Sequence, residues 1–397
     1  MAETKFYPPI PSLKPAAVKL RPQDEKYRLE NRIWQGCPSI TRTKGGRLWA
    51  TWFSGGVKEP GYGNFDLVAY SDDDGETWNE AYLVVEADED HHDRCIDINL
   101  WVDPDDNLYI TYVQLREFKV MHKIDQMWAF YDGIFGTWAI KCSNPDDDEP
   151  TFEPPVRWCD GYMRNRPTVL SSGEWIAPAY DWLPPDFLKT ASFRGSKGTP
   201  EYSYHFRISD DKGKTWRTVN GPQKPGLIGF DEIMILEGKE AQWHFFARVK
   251  GGILYAVSYD RGESWENYTP VWMNVADSRF FIRRLSSGNV ILVYSGPNRT
   301  GLFAKISADD CKTWSEPLML DDRRQVSYPD GFEDTDGMIN IAYDRDRYGA
   351  REILFTRFAE ADVLKGELVT DGTFLKKIIS KVPESTPHNP EQYKAHS

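Results

Sequence analysis

The sequence predicts an all-β fold, a six-bladed β-propeller with stapled hairpins on most of its blades. Two observations lead there: a short stretch that keeps returning, and a strand–turn–strand pattern repeated along 397 residues. The stretch is Ser71-Asp72-Asp73-Asp74-Gly75-Glu76-Thr77-Trp78, and it returns at residues 209–216, 258–265 and 307–314. The last copy has Cys311 where the others have glycine, and a worn relative stands at Ser143-Asn144-Pro145-Asp146. In the shared pattern the second-turn aspartate accepts backbone N–H groups, glycine supplies a positive φ, and tryptophan packs beneath. A fixed unit returning in this way signals a repeat architecture. Such turns staple hairpins and carry no chemistry, so function lies elsewhere in each repeat.

The strand pattern gives the count. The first repeat runs Pro38-Ser39-Ile40, a turn at Gly45-Gly46, then Leu48-Trp49-Ala50-Thr51-Trp52-Phe53. The second begins at Asp97-Ile98-Asn99-Leu100-Trp101, the third at Arg166-Pro167-Thr168-Val169-Leu170, the fourth at Glu232-Ile233-Met234-Ile235-Leu236. The fifth begins at Phe280-Phe281-Ile282-Arg283, and the sixth at Tyr328-Pro329-Asp330-Gly331, which has no stapled turn of its own. A Gly, Asn or Asp turn followed by an alternating strand is the hairpin signature. Six units of roughly 50–70 residues make six blades. Residues 1–33 read as an N-terminal extension whose last part adds a strand closing the ring, 34–383 as the propeller, and 384–397 as a flexible tail. Residues 115–136 and 183–201 read as long insertions, the usual material of site rims and lids.

Composition narrows the partners. A net charge of −13 argues against nucleic acid and acidic membranes, so an acidic ligand needs a local arginine cluster. Aromatic residues make up 14% of the chain, which suits strands and sugar-stacking surfaces. The five cysteines have no metal spacing and leave one unpaired. No apolar leader and no membrane-length apolar run is visible, so a cytoplasmic location is expected. With seven histidines and no zinc-type spacing, neither a metal nor another cofactor is expected.

In a propeller the innermost strands start at one face of the central channel, where their first residues converge. Read this way, the candidates are Gln35 and Cys37, Arg94 and Asp97, Arg164 and Arg166, Asp231 and Glu232, Arg279, and Tyr328 with Asp330. Charged side chains are rarely buried unless paired, so a ring of arginines and carboxylates reads as a site. The bland alternative is a watery channel held by structural ion pairs. His91-His92, just before Arg94, offers His92 as a general base at the rim, although such a pair also suits a plain exposed loop.

The returning stretch is the Asp-box, or BNR repeat, and the chain resembles the sialidase-like propellers that carry it. That resemblance implies site roles residue by residue. Arg94 and Asp97 match the second-blade pair holding polar groups of the sugar, and Glu232 the glutamate that activates the nucleophile. Arg248 and Arg299 match two members of a carboxylate-binding arginine triad, Tyr328 the nucleophilic tyrosine, and Asp344 the acid supporting the triad. Arg166 and Arg279 join the substrate-binding set from their strand-start positions. Two departures stand out. The family's Arg-Ile-Pro is here Arg32-Ile33-Trp34-Gln35-Gly36-Cys37-Pro38, so either Gln35 replaces the first triad arginine or Arg32 is displaced. The expected acid/base aspartate is missing, and Glu59 is the nearest carboxylate.

Three functions fit these residues. The leading one is an exo-acting glycosidase removing a terminal acidic sugar, with the Tyr328–Glu232 pair attacking an oxocarbenium-like centre. The second is a lyase, in which arginine neutralises a uronate and Tyr328 or a histidine removes the adjacent proton. The third is a propeller that binds a glycan without cutting it. All three expect a carbohydrate ligand.

Overall fold

A computed structural model describes residues 14–56, 59, 63–87, 93–116, 118–119, 128–129, 136–179, 205–222, 232–249, 252–269 and 275–386. The insertions at 115–136 and 183–201, His92 and the tail from 387 fall largely or wholly outside them. Six antiparallel sheets stand around a central channel, each from one stretch of the chain, the second interrupted by a two-stranded ribbon of Phe118–Lys119 and Trp128–Ala129. Their innermost strands are Trp34–Arg42, Asp93–Val102, Thr168–Val169, Met234–Glu237, Phe281–Arg284 and Val326–Glu333. The six expected repeats are thus six blades, and the single described α-helix is the short Glu360–Lys365.

The Asp boxes form as their chemistry requires. Each joins the third and fourth strands of its blade, as Ser71–Asn79 joins Phe65–Ser71 to Asn79–Glu86. Asp73 accepts the Thr77 N–H at 2.9 Å and the Thr77 hydroxyl at 2.6 Å, while Ser71 Oγ accepts the Gly75 N–H at 2.8 Å. Asp211, Asp260 and Asp309 repeat the pattern. Those hydrogen bonds hold all four carboxylates at a pKa of about 2. Cys311 takes a left-handed φ of 67°, so the fourth turn keeps its shape without glycine. In blade six the helix stands where a box would be, and Asp362 accepts the N–H groups of Ala359, Val369 and Thr370 instead.

The N-terminal strand does not close the ring. Ala17–Leu20 pairs with Asn79–Glu86 as the fifth, outermost strand of blade one, and blade six is complete within residues 326–381. Closure between blades six and one therefore falls to side chains. Phe355 and Ala342 pack with Ile40, Trp52 and Leu67 in one buried cluster, and Gly75 lies against the Phe355 ring. Trp34, Trp49, Trp52, Trp175 and Trp243 are fully buried. Burying a side chain of Phe size or larger stabilises by roughly 2–3 kcal/mol, so the aromatics carry much of the blade packing. All five cysteines are buried and free.

The closing seam can be tested with alanine. Gly75 has φ 78°, and a Cβ there would sit 2.8 Å from Phe355 Cε1; Gly288 has φ 86° with open space around it. Gly288→Ala should cost about 1 kcal/mol, the backbone term alone. Gly75→Ala should cost clearly more, because the seam must also shift. Denaturant unfolding measures both, and equal losses would show that the Phe355 contact does not limit the seam.

Candidate active site

Bulges aim the site. Register breaks interrupt the innermost strands of blades one, two and six at Gly36/Ser39, Ile96/Asn99 and Ser327/Asp330. Inside each break one residue has a positive φ: Cys37 at 57°, Asp97 at 60° and Tyr328 at 58°. Glu232, just ahead of the blade-four strand, has φ 32°. Non-glycine residues avoid this region, at a cost of order 1 kcal/mol or more each, and such strain gathers where side chains must be re-aimed. Here it turns four blades' side chains to one end of the channel.

At the centre the Tyr328 hydroxyl donates to Glu232 Oε1 at 2.6 Å. Arg248 Nη1 stands 3.0 Å from both Glu232 Oε1 and the Tyr328 oxygen, and its Nε donates to Asp277 at 2.7 Å. Arg164 pairs with Asp97 at 2.5 Å and reaches within 3.8 Å of Glu232. Three guanidinium groups lie over the Tyr328 ring: Arg347 at 4.1 Å, Arg164 at 5.1 Å and Arg299 at 5.6 Å from its centroid. Burial and then the Glu232 charge raise the Tyr328 phenol well above the usual tyrosine range, so it rests protonated. Burial also disfavours ionised Glu232, but Arg248 and Arg164 outweigh it and hold the carboxyl at about 2. Asp97 moves the other way: burial lifts it to about 6 against the pull of Arg164.

A second cluster adjoins the first. Asp344, fully buried, accepts from the Cys37 backbone N–H at 2.7 Å, from Ser327 Oγ at 2.6 Å and from Arg347 Nε at 2.9 Å. Arg347 also pairs with Glu59 at 2.5 Å, and the Cys37 thiol donates to Glu59 at 3.2 Å. Burial raises Glu59, but Arg347 and Arg164 together bring it below the ordinary carboxylate value. A Cβ on Gly36 would lie 2.8 Å from Arg347 Cδ and Nε. Set against Arg-Ile-Pro at Pro38, the family's first-blade arginine falls on Gly36. The space beside Gly36 is occupied by the side chain of Arg347, from blade six.

Not every candidate from the sequence reaches this pocket. Gln35 is fully buried and donates to the Arg351 carbonyl at 2.6 Å, tying blade one to blade six, so it replaces no arginine. Arg32 faces the other way, bonded to the Tyr27 carbonyl and Glu80. Arg166 and Arg279 lie deeper in the channel, where both pair with Asp330, at 2.5 and 3.0 Å. Asp344 is sealed behind Arg347 and positions it rather than meeting a ligand. Arg94 is buried on the Asp97 strand, and His92 lies outside the described residues. Arg299 does reach the pocket, bonded to Ser327 Oγ at 3.3 Å and the Asp277 carbonyl at 3.4 Å, with no described carboxylate in ion-pair range. Sequence reasoning passed over Arg347, although its place three residues after Asp344 was a usable signal. Among the described residues no three His, Cys, Asp or Glu side chains are grouped to hold a metal ion.

A channel face lined by a tyrosine–glutamate pair, arginines and supporting carboxylates, on six blades of which four carry Asp boxes, defines the class as a sialidase-like BNR propeller. The BNR repeat-like domain family matches residues 46–341, and the chain belongs to it. No curated protein matches. Among solved structures, a Hadza microbial sialidase superposes with a TM-score of 0.61 at 14% identity, covering 83% of this chain and 66% of its own. A Trypanosoma rangeli sialidase in complex with sialic acid gives 0.56 at 16% identity, covering 79% and 52%. A Penicillium chrysogenum α-L-arabinanase complexed with arabinobiose gives 0.56 at 14%, covering 84% and 96%. The chain therefore spans about two thirds and one half of the two sialidases. Likeness at these identities is one of fold.

The low Glu232 pKa makes an acid-stability prediction. A carboxyl depressed from an ordinary 4.5 to about 2 binds its proton less tightly when folded than when unfolded. Its stabilisation is therefore complete above about pH 4.5 and is lost as pH falls toward 2, by a few kcal/mol at most. Glu232→Gln should be less stable than wild type at pH 7, and the gap should narrow by pH 3. Urea midpoints at the two pH values give the comparison; a gap that stays constant would mean Glu232 is not held down.

Proposed function

We propose that this protein is a glycoside hydrolase that removes a terminal acidic sugar, with Tyr328 as nucleophile and Glu232 as its base. The observation carrying this reading is the 2.6 Å Tyr328–Glu232 hydrogen bond beneath three guanidinium groups. A neutral phenol attacks an oxocarbenium-like centre without repelling a substrate carboxylate, and Glu232 is within reach of the proton it releases.

The substrate carboxylate lands where positive charge is least spoken for, beside Arg299 and within reach of Arg248 and Arg347. Its arrival does more than bind. Arg248 holds Glu232 down and Arg347 holds Glu59 down, so an anion competing for those guanidinium groups raises both carboxyls. Glu232 then becomes base enough for the phenol proton, and Glu59 acid enough to protonate the leaving oxygen. The phenolate oxygen bonds the anomeric carbon as the glycosidic bond breaks. Glu59 then takes a proton from the water that attacks the anomeric carbon, the bond to Tyr328 breaks as Glu232 returns the phenol proton, and the configuration is retained. Tyr348, 45% exposed and near Trp34, offers an aromatic rim for the sugar.

Two variants test the chemistry. Tyr328→Phe should lose at least ~10³-fold in kcat while acidic-sugar affinity changes little, since only the attacking oxygen is gone. Aryl glycosides of sialic acid and of glucuronic acid supply the assay. Turnover surviving in Tyr328→Phe, or a product carrying the ultraviolet absorbance of an unsaturated uronate, would move the reading to a lyase.

The relocated arginine gives a sharper trial. Arg347→Ala should weaken acidic-sugar binding by about 2–4 kcal/mol. Gly36 has an ordinary φ, so Gly36→Arg in that background should restore part of the loss by returning the guanidinium from blade one. If the double variant binds no better than Arg347→Ala, the two positions do not share one role.

A further inference from the structure

The channel has a second mouth, opposite Tyr328. There the last residues of all six innermost strands enclose a cavity of about 470 Å³, within the size range of small-molecule pockets. Its arginines are unevenly paired. Arg166, Arg279 and Arg283 share the single carboxylate of Asp330: Arg166 and Arg279 are paired with it, and no described carboxylate lies in ion-pair range of Arg283. Arg283 donates to Thr168 Oγ1 at 3.0 Å and to the Arg166 carbonyl at 3.1 Å, which uses two of its five N–H groups. Arg166 is 7% exposed, and its Nε is buried without a hydrogen-bond partner.

The other charges around the cavity are committed. Glu237 and Glu333, also in the lining, accept the backbone N–H groups of Ser171 and Ser286, both at 2.6 Å. Arg42 pairs with Asp74 and Arg284 with Asp310. Burial and then repulsion from Arg166 push Arg283 down to about 9, against the pull of Asp330. Uncompensated charge in such a setting is costly, and a bound anion relieves it. Trp101, Phe281 and Phe332 add an apolar wall to the same space.

We propose that this mouth is a second binding site, for a small organic anion. A carboxylate or phosphate lies between Arg166 and Arg283, and a sugar-sized body rests on Trp101, Phe281 and Phe332. The site is separate from the one beside Tyr328, with the Asp330 ion pairs between them. It gives the far side of the ring a ligand of its own.

Calorimetric titration with two probes, inorganic phosphate and glucuronate, tests it on wild type, Arg283→Gln and Arg248→Gln. At least one probe should show a binding event that Arg248→Gln retains and Arg283→Gln weakens about tenfold or more, the scale of a lost charge-assisted hydrogen bond. The arms separate a phosphate preference from a carboxylate one. Unchanged binding in Arg283→Gln, or no event surviving Arg248→Gln, overturns the proposal. Absence of any Arg248-dependent event in wild type counts against the glycosidase reading and not against this site. Should Arg283→Gln fail to fold, wild-type crystals soaked in bromide decide: an anomalous peak beside the Arg283 guanidinium supports the site, and its absence there overturns it.

Discussion

Everything in this ring leans on the carboxylate of Asp330. It accepts Ser39 of blade one and Arg166 of blade three, both at 2.5 Å, and Arg279 of blade five at 3.0 Å. Arg279 in turn reaches Asn165 and Asn99, and Ser39 Oγ accepts the Leu100 N–H. One buried acid thus links five of the six blades at the hub. Without a strand shared between first and last blades, a propeller depends on such a centre and on its aromatic seams. Removing one member would leave charged partners buried and unmet, the costly side of any buried ion pair. The same arrangement leaves Arg283, beside those pairs, with no described carboxylate in ion-pair range, and it faces the far mouth.

Above the hub, the backbone gives up regularity to aim side chains. Three bulges and one loop residue hold φ values that alanine-like residues avoid, and they do so at equivalent places in different blades. The result is a pair of carboxylates, Glu232 and Glu59, each restrained by an arginine that a ligand's charge would contest. In the proposed reaction, reactivity is coupled to occupancy by electrostatics. An uncharged sugar would leave both carboxyls pinned.

Much of the fold was legible because its signals are local. A box reports its own turn, and a Gly or Asn turn between alternating strands reports its own hairpin, so six blades could be counted directly. The pocket was legible where the resemblance fixes spacing within a blade, as for Glu232 with Arg248 and Tyr328 with Asp344. What crosses the ring was not. Gln35 occupies a strand start yet points to Arg351, because the bulge at Gly36 shifts which side chain faces the channel. Arg166 and Arg279 looked like ligands because a sequence has no depth coordinate along a channel. The gap at Gly36 and the arginine that fills it are 311 positions apart, and only folding brings them together. The ring-closing role expected of the N-terminal strand was lost to blade one, whose outer edge at Asn79–Glu86 lies open to it.

Because each blade is one unbroken stretch of chain, synthesis delivers the blades in order. The last to emerge carries Tyr328, Asp330, Asp344 and Arg347 together. Until it docks, the first five blades lack both the hub that gathers them and the group that would react. A nascent or prematurely ended chain would therefore hold Glu232 and Arg248 without the Tyr328 partner they meet in the finished ring. Closing the ring and completing the pocket become one event, set by the blade made last.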